Sequence, residues 1–492
     1  MKARAGIIFG LLALIVALPM VLRQQTATTH FKSADDTLII LSPHNESIRQ
    51  EFGEAFAAHW KKTTGRSIYI DWRTPGGTSE IRMVIDAGFK AAEDGGRQGI
   101  GVDMFFGGGE PDFASQAKKG RLIPLRVFEK QPELFVKDGA IPETFTGERY
   151  YPADHVWVAS CMSQFGICYN PDVLKRLRIP TPTAWNDLAD PRYAGTLALA
   201  DPTKSGSVAR AFELLVQAEM QRALAAPGAV RAEALDAGWT AGLQLIQRMS
   251  ANARYFTDSA SKIPQDVGQG NSSAGMCIDF YGRSFAAELT SKSGDPRVVW
   301  IAPVGGTTLS GDPIAVLKGA KNIEVAQAFV EFALSPEAQT LWFGKPGAPG
   351  GPAKRALHRT PVRRDIYTPE NLAHSTMPNA NPYADPANFT YQRELTGAAF
   401  NTLRQLIKIM CIDSHEEMKS AWLAIRDAGM PADALAVFSD VSIMDYAKGG
   451  KGDPILDGPD ALKAAERASE IGEWFRANYR KAAAMARDKS KL

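Results

Sequence analysis

Residues 37–72, TLIILSPHNESIRQEFGEAFAAHWKKTTGRSIYIDW, carry the pattern from which the fold class follows. Thr37 to Leu41 is a short apolar run with the composition of a buried strand. Ser47 with Gln50 reads as a capping box, and Ile48, Phe52, Phe56 and Trp60 recur behind it at helical spacing. Gly65 offers that helix its stop, and Ser67 to Trp72 is the next strand. The unit then repeats. Gly76-Gly77-Thr78-Ser79 leads into a helix near Glu80, Val102 to Phe106 is a third strand, and Gly107-Gly108-Gly109 precedes a short helix near Phe113 to Lys119. Successive β-α units predict a parallel sheet covered by helices.

Val156 to Tyr169 holds two apolar stretches, a candidate crossing between lobes, and a second α/β region follows to about Val304. Within it Thr196 to Ala200 is a strand, Thr203 to Ser207 a polar turn, and Val208, Phe212 and Leu215 the core stripe of the next helix. Ile314 to Leu317 reads as a strand and Val325 to Leu334 as a helix. Ser335-Pro336-Glu337 supplies the N-cap, N1 proline and acidic first turn of one more. The expected division is lobe 1 from residues 36–155, lobe 2 from 156–304, a return to lobe 1 over 305–350, and a mostly helical C-terminal extension over 351–492. Gly344 to Pro352 is a loop by composition. Lys354, Arg355, Arg359, Arg363 and Arg364 after it read as a solvated basic face in preference to an anion site. Leu462 to Leu492 reads as a surface helix with a fraying end.

Lysine and arginine total 56 against 54 acids, so no overall field points to nucleic acid. Lys2 and Arg4 precede an unbroken apolar run from Ala5 to Leu22, the arrangement of an export signal. Residues 1–30 are therefore a signal peptide or an N-terminal membrane anchor. No A-x-A pattern follows Leu22, and both outcomes stay open: release into the periplasm, or anchoring to the outer face of the cytoplasmic membrane by residues 5–22. Cys161, Cys168, Cys277 and Cys411 lack C-x-x-C spacing. Buried thiols or one structural disulfide fit them, with Cys161 and Cys168 placed so that they could bridge.

Five stretches in a fixed order resemble the bacterial extracellular solute-binding proteins of ABC transporters, in the branch that includes ferric-ion, sugar-phosphate and aminoethylphosphonate binders. They are Ser42-Pro43-His44-Asn45, Gly166-Ile167-Cys168-Tyr169-Asn170-Pro171-Asp172, Pro182 to Leu188 running into Asp190 to Gly195, Ala200 to Ser207, and Leu334 to Gln339. The resemblance spans roughly residues 36–345. It implies a type II periplasmic binding fold, two α/β lobes with a hinge and a ligand cleft, which closes on a solute and hands it to an ABC permease in the inner membrane. It implies a monomer and no covalent chemistry.

Thr203-Lys204-Ser205-Gly206-Ser207 lies between a strand and a helix, so its amides and hydroxyls face the place where an anion binds a helix N-terminus; ordinary capping by Ser205 or Ser207 is the plainer alternative. Gly76 to Ser79, with the hydroxyls of Thr78 and Ser79, offers the same geometry in the other lobe, and Gly108 and Gly109 a less specific rim. Ser42 and His44 sit at the carboxyl end of the first strand, where open α/β sheets place ligands. Asp279 and Tyr281, in Asp279-Phe280-Tyr281-Gly282-Arg283, follow the apolar Ala274 to Ile278. In the ferric-ion binders that stretch carries adjacent tyrosines, and Phe280 replaces one of them here. A small anionic solute, such as a phosphorylated sugar or a phosphonate, is therefore expected above ferric iron, whose donors would be His44, Asp279 and Tyr281. Polyamine-type cations rank lower because Lys204 and Arg283 repel them. The glycine clusters lack a Walker lysine and no G-x-S-x-G or H-E-x-x-H occurs, so neither a nucleotide or other cofactor nor catalysis is expected. The rival is a membrane-anchored sensory binding protein that would use the same cleft.

Overall fold

The computed structural model describes residues 33–291, 294–384 and 389–489. The apolar run from Ala5 to Leu22 lies outside them, and no helix among the described residues is long and apolar enough to cross a membrane. Strand β1 (Asp36–Leu41) buries Leu38, Ile40 and Leu41 completely or nearly so. The helix after it, α1 (Glu46–Thr64), is opened by Asn45 and not by the expected Ser47-Gln50 box: the Asn45 side chain accepts the Ile48 N–H at 3.0 Å. Gly65 closes it at φ 76°. β2 (Ile68–Arg73), α2 (Thr78–Asp94), β3 (Met104–Phe106) and α3 (Glu110–Lys118) complete the repeated units.

β4 (Leu122–Ile123) and the hairpin β5 (Thr144–Phe145) and β6 (Glu148–Arg149) lead to β7 (Val158–Ser163) and β8 (Phe165–Tyr169). Then follow β9 (Leu197–Ala200), α4 (Gly206–Leu224), α5 (Arg231–Ala251), β10 (Ala253–Thr257), β11 (Ala274–Ile278), α6 (Asp279–Glu288) and β12 (Val299–Ile301). The chain returns through β13 (Ser310–Leu317), α7 (Ile323–Ala333), α8 (Pro336–Phe343) and β14 (Thr360–Pro361).

Two sheets result. The first has the order β14-β7-β13-β3-β1-β2, with β4 beside β13; the second has the order β10-β9-β11-β8-β12. β1 is parallel to β2 and β3, as the β-α repeat predicts, but β13 runs antiparallel to its neighbours β3 and β7, so the sheet is mixed. The reason is connectivity: β7 is where the chain leaves the first sheet and β13 is where it comes back. Two crossings therefore join the sheets, at Gln164 between β7 and β8 and between β12 and β13, and the Phe165 N–H donates to Thr307 Oγ1 at 3.1 Å to tie one to the other. Behind the first sheet, Phe52 stacks on Trp342 with ring centroids 4.2 Å apart, and Phe106 meets Phe329 at 5.6 Å. Burying each such ring contributes roughly 1.5–3 kcal/mol.

The four cysteines are buried free thiols. Cys161 on β7 and Cys168 on β8 belong to different sheets, so the contemplated bridge does not form.

Of the C-terminal helices, α9 (Phe400–Ile407) packs on α4, and α10 (His415–Asp427), α11 (Ala432–Phe438) and α12 (Ala461–Lys489) gather on α5 of the second lobe. Trp239 Nε1–H donates to Met444 O at 2.9 Å, Trp422 Nε1–H to Asn252 Oδ1 at 2.7 Å, and Gln247 Nε2–H to the Tyr479 hydroxyl at 3.1 Å. The last helix is more than a surface helix, because Ile471, Phe475, Tyr479 and Ala482 are fully buried.

Candidate ligand-binding site

A cavity of about 570 Å³ lies between the two sheets, walled by the ends of β1, β3 and β13 on one side and by the starts of α4 and α6 on the other. Helices α2, α3 and α4 all begin at it: Gly76, Gly77 and Thr78, then Gly108, Gly109 and Glu110, then Lys204, Ser205, Gly206 and Ser207 line it. First-turn amides have no partner inside their own helix, and their dipoles favour negative charge at that end. The N-termini of α2 and α4 touch. A Cβ on Gly206 would run into Thr78 Oγ1, so only glycine lets the two helix starts meet across the cleft.

Of the expected residues, His44, Thr78, Gly108, Gly109, Lys204, Ser205, Gly206, Ser207 and Tyr281 line this cavity. Four do not. Ser42 is buried and its Oγ accepts the His44 N–H at 3.1 Å, so it holds the neighbour in place. Ser79 Oγ accepts from Arg404 and Thr203 Oγ1 donates to Asp201 Oδ1 at 2.7 Å, both in a groove on the outer side of the cleft. Asp279 is fully buried against Arg283 Nη1, 3.1 Å away. The conditional metal set of His44, Asp279 and Tyr281 is therefore not brought together: one member faces an arginine and does not line the cavity. Ser205 does what the plainer reading gave it, its Oγ accepting the Val208 N–H at 3.4 Å as the cap of α4.

The floor was not anticipated. Asp312 on β13 accepts from Arg359 and from the Gly108 N–H at 2.7 Å, and it meets His44 Nε2 at 3.2 Å. Burial alone would raise the Asp312 carboxyl, but Arg359 and then His44 more than offset it and hold it at about 2. His44 is 5% exposed, and burial pushes its imidazole below its ordinary pKa despite Asp312. It packs edge-on to Phe106 with centroids 4.6 Å apart, and Gly107 at φ 95° lets the chain pass it: a Cβ there would stand 2.6 Å from His44 Nε2. Arg359 is 1% exposed and Arg363 is 7% exposed, so two members of the basic cluster are interior and the solvated-face reading fails for them. Arg363 donates to Leu334 O at 2.9 Å, and Arg359 lies over the Phe280 ring at 4.6 Å.

Asp112, in the first turn of α3, lines the cavity with Arg82 at 3.7 Å, and burial raises its carboxyl pKa in spite of Arg82 and Arg404. Burial likewise pushes the Tyr281 phenol up to about 12, so it meets the cavity as a neutral hydroxyl. Glu148 and Arg210 form the wall nearest the crossings, and Phe400 and Arg404 of the C-terminal helices form another.

His358, beside Arg359, is held at a pKa of about 4 by burial, with Arg283 adding to the effect. Its folded pKa lies below the unfolded value of 6.5, so the unfolded chain takes up the proton first. Stability is then complete above about pH 6.5 and is lost as pH falls toward 4, by at most about 2.6 kcal/mol at pH 4.5. His358→Gln is expected to flatten this part of the urea-measured stability profile; an unchanged slope between pH 7 and 4.5 would contradict the assignment.

Two α/β lobes joined by two crossings around one cavity, with a helical C-terminal extension, define the type II fold of periplasmic binding proteins. The profile of the bacterial extracellular solute-binding proteins matches residues 102–360, more than half of the chain, and the protein belongs to that family. It is similar to the structure of the periplasmic binding protein P5PA, with a TM-score of 0.51 at 17% identity over 79% of this chain and 99% of that one. It is also similar to the phosphoglycerate transport regulatory protein PgtC of Salmonella typhimurium, 27% identical over 184 residues, which is 37% of this chain and 40% of the relative. An uncharacterized protein of Haemophilus influenzae is 27% identical over 241 residues, 49% of this chain and 60% of that protein. The matches thus span 40% to 60% of the length of these curated relatives.

Proposed function

We propose that the protein is the periplasmic solute-binding component of an ABC importer, which captures a small anionic organic solute between its lobes and delivers it to a membrane permease without catalysis. The lobes in this reading are residues 36–155 with 305–350, and residues 156–304, and closure of one upon the other is what the permease senses. The observation that carries it is the meeting of three helix N-termini on one cavity, a ready anion site. Net charge does not supply the selectivity, because carboxylates from Glu80, Glu110, Asp112, Glu148, Asp258 and Asp312 also line the space. Those not committed to arginines suit hydroxyl or ammonium groups on the same solute, so a phosphorylated sugar, a phosphoglycerate-like acid or an aminophosphonate fits better than a bare anion. The phosphoglycerate transport role in the name of PgtC agrees with a phosphorylated solute.

Thermal denaturation of the purified protein with a hexose phosphate, phosphoglycerate, aminoethylphosphonate, inorganic phosphate, ferric citrate and spermidine tests this. A solute at about a hundred times its Kd adds about 2.7 kcal/mol to the folded state, a midpoint rise of several degrees. A phosphorylated or phosphonate solute is expected to give it and ferric citrate to give none. Tyr281→Phe is expected to weaken binding about two- to ten-fold through the lost hydroxyl. A rise with ferric citrate alone sinks the anion reading.

A further inference from the structure

Three arginines line the cavity, and two of them have carboxylate partners: Arg210 pairs with Glu148 and Glu213, and Arg359 with Asp312. Arg404, on α9 of the C-terminal extension and 6% exposed, has none among the described residues. Its Nε donates to Pro202 O at 2.8 Å, and its Nη2 to Thr203 O at 3.0 Å and Ser79 Oγ at 2.7 Å. No acceptor is seen for Nη1 among the described residues. Asp112, Asp201 and Glu80 act on it from beyond ion-pair distance, so its direct partners are all neutral and a buried guanidinium so placed can still take an anion as a direct partner. Burial first and then the neighbouring Arg82 pull its pKa below the usual arginine value, by more than Asp112, Asp201 and Glu80 restore.

The placement matters as much as the charge. Ser79 belongs to α2 of the first lobe, whereas Pro202 and Thr203 precede α4 of the second, so one side chain spans the mouth of the cleft. Arg404 lines both the cavity and the groove outside it and, with Glu80 and Lys204, forms the partition between them. The extension makes a second cross-lobe contact nearby, Arg393 Nη1–H to Glu110 Oε1 at 2.8 Å, while Gln217 of α4 donates to Thr396 Oγ1 at 2.7 Å on the other side. Phe400, one turn before Arg404, presents its ring to the same cavity.

We propose that Arg404 is a solute-contacting residue, contributed by the C-terminal extension, which pairs with the anionic group of the bound solute and locks the two lobes over it. The anion reading of the cavity underlies the first half of this statement; the lock does not depend on it. The extension lies beyond residues 102–360, where the family match ends, so this wall of the site is an addition to the matched region.

The test uses the full-length protein with Arg404→Gln and Arg404→Lys. Titration with a hexose phosphate is expected to show binding weakened about ten- to a hundred-fold in Arg404→Gln and partly restored in Arg404→Lys, which keeps the charge and loses the fork. Separately, spin labels at Lys90→Cys and Lys175→Cys, both exposed and on opposite lobes, report lobe separation without any solute, the native cysteines being buried. Arg404→Gln is expected to shift that distance distribution to longer values, with an unchanged far-ultraviolet dichroism spectrum confirming that the chain is folded. Failure of the unsubstituted protein to bind any anion, with the distance shift intact, removes the anion reading and leaves the lock. Equal affinity and equal distances in the unsubstituted protein and Arg404→Gln overturn the proposal.

Discussion

Replacing Arg210 by methionine is expected to lower the unfolding free energy by about 3–5 kcal/mol, among the largest effects of any single substitution in this protein. Arg210 on α4 places Nη2 2.5 Å from Glu148 Oε2 and Nη1 2.5 Å from Glu213 Oε2, with its guanidinium 3.7 Å from the Tyr391 ring. Both carboxylates are almost wholly buried and are otherwise committed. Glu148 accepts from Thr308 at 2.7 Å and Ser310 at 3.0 Å, and Glu213 from Tyr391 at 3.0 Å and Thr396 at 2.7 Å. One network therefore joins the hairpin before the first crossing, the second crossing, a second-lobe helix and the C-terminal extension. Methionine fills the space but leaves two unpaired buried carboxylates, and the penalty is theirs more than the lost hydrogen bonds. Urea denaturation measures it, and adding Glu148→Gln to Arg210→Met is expected to recover part of the loss. A change below about 1 kcal/mol would show that water reaches these groups.

That network also marks the boundary of what could be read from the chain. The strands and helices of both lobes are legible because their signals are local: the apolar stripe of Phe52 and Phe56, the glycine stop at Gly65, the proline behind the Ser335 cap. So are the glycine and hydroxyl turns at Gly76 to Ser79 and Thr203 to Ser207, since a strand end followed by a helix start is the geometry that makes a site. Even local reading slips where polar residues crowd together. Asn45, Glu46 and Ser47 offer competing caps, and the entry direction set after Pro43 and His44 gives the role to Asn45.

Long-range partners are where the reading ends. Asp312 precedes Pro313 and looks like a turn residue; only the pairing of β13 with β7 and β3 carries it under Gly108 and His44. Arg359 sits in a basic run indistinguishable from a solvated face until β14 pairs with β7 and draws it inside. Ser42, Ser79, Thr203 and Asp279 were recognised as near the cleft, but each side chain is spent on a neighbour, a distinction that depends on which atoms happen to stand opposite. Arg404 had no local signal at all: its helix shows an ordinary amphipathic pattern, and its role exists only because α9 packs at the junction of the lobes.

Asp312→Asn is expected to move stability and solute affinity in opposite directions. Asparagine keeps the shape and can still accept the Gly108 N–H, but it removes the one carboxylate paired with Arg359 among the described residues, and breaking a buried pair from one side costs about 3–5 kcal/mol. The acid profile gives an independent check. Asp312 is held at about 2, below its ordinary 3.8, so its contribution is present above the ordinary value and lost as pH falls from about 4 toward 2, by about 2 kcal/mol. That acid-dependent loss should be absent in the variant at every pH. The two figures differ because protonating the carboxyl leaves an acceptor in place, whereas the substitution also turns one end of the group into a donor facing Arg359. In the cavity the consequence has the other sign. With its counter-ion gone, Arg359 becomes a further cation of the cavity without a direct carboxylate partner, and an anionic solute is expected to bind as tightly or more tightly in the less stable protein. Denaturation and isothermal titration on the same preparation separate the two effects. Affinity that falls along with stability would make Asp312 a direct partner of the solute, accepting from its hydroxyl or ammonium groups, and not merely the counter-ion of Arg359.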